Sequence, residues 1–66
     1  MTLPIERTHA VLRTEQFLKD LLNPRATPRV PREVREQAYR CLKHYPGNYD
    51  MELASEKAPD VFGDNK

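Results

Sequence analysis

With 66 residues, one cysteine and a formal net charge of +1, the chain holds one domain at most, no internal disulfide framework and no strong overall field. Charged residues make up 32% and hydrophobic ones 38%, and nowhere is there the run of roughly 18 apolar residues that a membrane span needs. The start, MTLPIERTHAVL, lacks the apolar stretch of a signal peptide, so the sequence predicts a soluble, cytoplasmic protein.

Pro4 suits the first turn of a helix, where a missing N–H costs nothing, and the residues from Ile5 to Leu22 favour helix without a glycine. Ala10, Val11, Thr14, Phe17, Leu18, Leu21 and Leu22 recur at spacings of three and four, which gathers them on one face. Leu12 falls outside that stripe. Asn23 before Pro24 ends the helix, because a residue preceding proline is pushed out of the helical region. The stretch from Pro24 to Val30, with two prolines, reads as an extended loop.

Pro31 then restarts a helix, with Glu33 near the positive end of its dipole. Val30, Val34, Ala38, Cys41, Leu42 and Tyr45 form its expected apolar stripe, flanked by Arg32, Arg35, Arg40 and Lys43 and stopped by Pro46 and Gly47. Asp50 is a candidate N-cap for a short third helix through Met51, Leu53 and Ala54 to Ala58, closed by Pro59. Val61 and Phe62 read as a hydrophobic plug folding back, and residues 63–66 as a frayed tail. The expectation is an all-α domain over residues 1–62: a helical hairpin (about 4–22 and 31–45) with a third helix (about 50–58) laid across its open end.

Charge is segregated along this plan. Six of the eleven Lys and Arg residues (Arg25, Arg29, Arg32, Arg35, Arg40 and Lys43) face two acids in the middle of the chain, while from Pro46 onward five acids face two bases. Either the acidic end neutralises the basic middle, within one chain or in a dimer, or the middle is a surface for an anionic partner. A core this thin leaves monomer and homo-oligomer equally open.

Helix two, the turn at residues 46–49 and helix three have the rough spacing of a helix-turn-helix. The helix that would enter the groove carries Glu52 and Glu56 with only Lys57 in support, the wrong sign for phosphate. DNA contact would therefore fall to helix two and the loop before it, through phosphates that carry no sequence information. Tyr39, Tyr45 and Tyr49 are candidates for base stacking, although tyrosines at helical spacing are more often core or rim residues.

Cys41 and His44 stand three apart on one helix, a spacing that can offer zinc two ligands of the four a structural site needs, and His9 is the only other histidine. Cys41 reads as a small buried hydrophobe, and no metal is expected. Nothing beside the Cys41–His44 pair supplies an oxyanion site. Gly47 and Gly63, the only glycines, cannot make a phosphate-cradling loop. Neither enzyme activity nor a cofactor is expected.

The ordered set Leu3, Pro4, Glu6, Arg7, Thr8, then Thr14, Phe17, Leu18, then Pro31, Val34, Arg35, Ala38, and last Leu42, His44, Tyr45, Pro46 resembles a family of short uncharacterised proteobacterial proteins. That family shares an ERT start, a T-x-x-F-L core, a P-x-x-V-R-x-x-A step and an R-H-Y-P close. Lys43 departs from the pattern by standing where arginine precedes the histidine. The resemblance implies a bacterial, cytoplasmic source and a helical fold, and carries no activity.

An antiparallel pairing of the first two helices would bring Glu6 and Arg7 to His44 and Tyr45, a polar cluster expected to pin the register. The function expected is a non-catalytic interaction or regulatory module that binds a protein partner through Arg25, Arg29, Arg32, Arg35, Arg40 and Lys43. The alternative is a weak, sequence-nonspecific nucleic-acid binder using the same residues. A titration with duplex DNA at low salt is expected to show at most weak binding that salt abolishes; salt-resistant, sequence-specific binding would overturn this reading.

Overall fold

Proline sets the start of the first two helices, and the helix ends follow from which groups can take up the backbone hydrogen bonds left over. The computed structural model describes residues 2–64, with helices α1 (Pro4–Leu22), α2 (Arg32–Lys43) and α3 (Asn48–Lys57) and no strand among the described residues. It is an all-α fold with a helical hairpin and a third helix. The chain divides into two compact units, one within residues 2–13 and 46–64 and the other over Thr14–Tyr45.

The first unit holds the opening turns of α1, all of α3 and the chain that follows it. Pro4 is the first helical residue, and the Glu6 carboxylate accepts the Leu3 N–H at 2.7 Å, the acidic half of a capping box. Asp50 does the same for α3, accepting the Gly47 N–H at 3.0 Å. Asp50 is thus the third helical residue and not the N-cap. The helix begins two residues earlier than expected, at Asn48, because the carboxylate reaches back to the backbone ahead of it.

After α3 the Ala58 carbonyl accepts from the N–H groups of Val61 (3.0 Å) and Phe62 (2.9 Å), and this turn is tied to the start of α1 by polar side chains. Arg7 donates from Nε to the Val61 carbonyl at 2.7 Å and from Nη2 to the Asp60 carbonyl at 3.1 Å, while Nη1 holds the Thr2 carbonyl at 2.7 Å and its hydroxyl at 3.0 Å. Thr8, only 1% exposed, donates its hydroxyl to the Gly63 carbonyl at 2.8 Å. Gly63 lies so close to α1 that a Cβ on it would meet the Ile5 backbone N at 2.7 Å and Cα at 2.8 Å. Fraying was expected from residue 63, but Gly63 is held; residues 65 and 66 lie outside the described residues. Of the expected plug, Phe62 is half-buried and Val61 exposed. Polar clasps therefore share with apolar contact the work of holding this segment.

The second unit is the hairpin, made of the latter part of α1, a tight turn and α2. The segment expected to be extended is a compact turn. Asn23 organises it: its carbonyl accepts from Ala26 (3.1 Å) and Thr27 (3.0 Å), and its side-chain oxygen accepts the Arg25 N–H at 3.0 Å. Thr27 donates its hydroxyl back to the Asp20 carbonyl at 2.7 Å. From α2, Arg35 donates to the Leu21 and Thr27 carbonyls, each at 2.6 Å, and so joins the end of α1, the turn and α2. Pro31 stands outside α2 as its extended N-cap, without a side-chain cap bond. Its carbonyl accepts from Val34 and Arg35. The helix stops at Lys43, two residues short of the expected end.

Among the described residues only Thr8, Ala38 and Met51 are buried. Leu18, Leu21, Leu22, Val30, Leu42 and Tyr45 are half-buried, as is Leu12, which lay off the expected stripe. Phe17 is 59% exposed, and Val34 and Cys41 are also exposed, against the burial their spacing suggested. Spacing places a residue on a face but does not say how far a neighbouring element extends over it. Gly63→Ala is expected to destabilise the protein by about 1–3 kcal/mol, the cost of overpacking against backbone that cannot move aside. Urea unfolding followed by circular dichroism measures this, and an unchanged midpoint would contradict the close approach to Ile5.

Candidate docking surface

Counting along α2 from Arg32, the positions Arg35, Glu36, Tyr39, Arg40 and Lys43 follow at three, four, seven, eight and eleven, so one helical face carries them all. Together with Leu22 these side chains line an open, shallow depression of about 570 Å³. Its lining is largely apolar, as expected where Leu22 and a tyrosine ring stand among basic residues with long aliphatic stems. Tyr39 is 61% exposed. Four cations and one carboxylate line this hollow.

The cations do different work. Arg32, whose side chain is 88% exposed, pairs with Glu36 at 3.2 Å, a contact between exposed groups that contributes little. Arg35 is half-buried and committed to the Leu21 and Thr27 carbonyls, which are neutral, so its charge persists while its donors are engaged. Arg40 and Lys43 are exposed and have no hydrogen-bond or ion-pair partner among the described residues. The pair offers an incoming anion both a planar fork suited to a carboxylate and a mobile point charge.

Of the six expected partner-binding residues the structure therefore gathers four, Arg32, Arg35, Arg40 and Lys43, in one depression. Arg29 lines a separate, smaller hollow of about 310 Å³ with Thr27, Pro28 and Val30, and Arg25 is exposed in the turn. Leu22 and Glu36 belong to the depression and were not in the expected set. The spacing of Glu36 from Arg32 and Arg40 was a usable signal, whereas nothing local places Leu22, on another helix, beside this face.

Of the residues expected to form a polar cluster, Glu6 and Arg7 lie in the first unit and His44 and Tyr45 in the second. Glu6 caps α1, and the guanidinium of Arg7 holds Thr2 and the turn after α3. Arg7 thus pins the end of the described chain, because adjacent carbonyls in that turn match its forked donors. Cys41 and His44 are both exposed. No group of three or more His, Cys, Asp or Glu among the described residues converges as a metal site, and no described helix is long and apolar enough to cross a membrane. No protein-family model, curated protein or solved structure matches the chain.

Arg35→Ala is expected to cost about 1.5–3 kcal/mol, since two carbonyls lose a charged donor, and Arg35→Lys should not restore it because an ammonium lacks the fork. Arg40→Ala, on the same face, should leave the urea midpoint unchanged. Equal effects of the two alanine variants would refute the division of roles.

Proposed function

We propose that this chain is a non-catalytic interaction module and that the α2 face around Tyr39 is its docking surface for an acidic segment of a protein partner. The observation that carries this reading is an exposed aromatic ring set among four cations, two of them without a partner among the described residues, in a largely apolar depression. Tyrosine and arginine are the residue types that anchor protein interfaces, since each offers a large, stiff surface together with a polar tip. The cations steer an acidic partner towards the face, and the apolar part of the lining supplies the contact area.

Weak nucleic-acid binding through the same residues is the competing reading, supported by the same exposed ring beside arginine, which suits base stacking. Replacing Tyr39 with the photo-crosslinker p-benzoylphenylalanine separates the two. After irradiation in cell lysate, with and without nuclease, the adduct should be a protein cross-linked within an acidic segment. It should survive nuclease and disappear when Arg40→Glu and Lys43→Glu are added. Adducts found only without nuclease would put nucleic acid in first place.

A further inference from the structure

The acidic end of the chain has a face of its own. In α3, Tyr49, Glu52 and Glu56 follow one another at three and four residues, so they share a side of the helix. Met51, which is buried, points elsewhere. Tyr49 is 71% exposed, and Glu52 and Glu56 are exposed with no side-chain partner among the described residues. This is the counterpart of the α2 face in chemistry and reversed in sign: an exposed tyrosine beside carboxylates, against an exposed tyrosine beside cations.

Among the described residues no ion pair engages Glu52 or Glu56 on the α3 face, and on the α2 face the Arg32–Glu36 pair leaves Arg40 and Lys43 unengaged. The pairs Lys19–Glu15 and Arg32–Glu36 each lie within one helix and within the second unit. Glu52 and Glu56 stand four apart, a like-charge spacing that destabilises a helix when nothing relieves it. Arg40 and Lys43 share their depression with Arg32 and Arg35 and with a single carboxylate, Glu36, which pairs with Arg32. The charged pairs are also similarly spaced: Glu52 to Glu56 rises about 6 Å along α3, and Arg40 to Lys43 about 4.5 Å along α2.

We infer that α3 of a second copy of this chain occupies the α2 depression, with Glu52 and Glu56 of the second copy meeting Arg40 and Lys43 and the two tyrosines sharing the apolar part of the lining. The inference rests on reading the α2 face as a docking surface and names its occupant. The two patches lie at different places on the chain. Two copies can therefore make the contact twice about a two-fold axis, or successive copies can make it once each in a row. One short helix on a shallow face is a small interface, so the association is weak and salt-sensitive.

Sedimentation velocity over rising protein concentration tests this with two charge reversals, Arg40→Glu/Lys43→Glu and Glu52→Lys/Glu56→Lys. The wild-type chain should self-associate at about 50 mM salt and lose this at about 500 mM. Each reversed variant, with helicity and melting checked by circular dichroism, should self-associate at least about tenfold more weakly. An equimolar mixture of the two should regain association, because the cationic α2 face of one variant again meets a carboxylate-bearing α3 in the other. A wild-type chain that stays monomeric at low salt, an association indifferent to either reversal, or a mixture that does not recover would each overturn the inference. None of these outcomes touches the cross-link from position 39 to a different acidic protein, so failure of self-docking and failure of the docking surface are told apart.

Discussion

A chain this small buries little apolar core, and the reversals between its helices leave carbonyl groups that need donors. Arginine meets that need in both units. Arg35 joins the end of α1 and the turn after it to α2. Arg7 gathers the Thr2 carbonyl and the carbonyls of the turn that follows α3. A guanidinium presents five donors in a rigid plane, so one side chain can fix two or three strands of irregular backbone at the cost of ordering a single residue. With Thr8, Ala38 and Met51 the only buried positions among those described, these clasps do what a larger apolar core does elsewhere.

The three residues Glu6, Arg7 and Thr8 form one device when seen this way. The carboxylate closes the start of α1, the guanidinium holds the turn after α3, and the hydroxyl holds Gly63. Gly63 accepts this arrangement because it has no side chain to collide with Ile5. Successive residues on a helix point about 100° apart, so three in a row can address three different pieces of chain.

Charge on α2 has a double meaning for the same reason. Arg35 is part of the scaffold, while Arg40 and Lys43 on the same face have no hydrogen-bond or ion-pair partner among the described residues. A count of basic residues treats these as equal. Geometry separates them, and it concentrates the surface available for binding around Tyr39 rather than spreading it over every cation between Arg25 and Lys43.

Local signals in the sequence determined the helices. Pro4, Pro24, Pro31 and Pro46 restrict the backbone directly, so α1 has the expected limits and α2 begins and ends within two residues of them. The basic face of α2 was legible as well, since helical spacing alone aligns Arg32, Arg35, Arg40 and Lys43. Long-range contact decided the rest. That Phe17, Val34 and Cys41 are exposed and that Leu22 belongs to the basic depression depends on how far neighbouring elements extend over each face, and that Arg7 and Thr8 reach residues more than fifty positions away depends on which backbone carbonyls the chain reversals leave without partners. A one-dimensional pattern carries periodicity and turn chemistry, but the hydrogen-bond needs of a chain reversal exist only when the chain is folded.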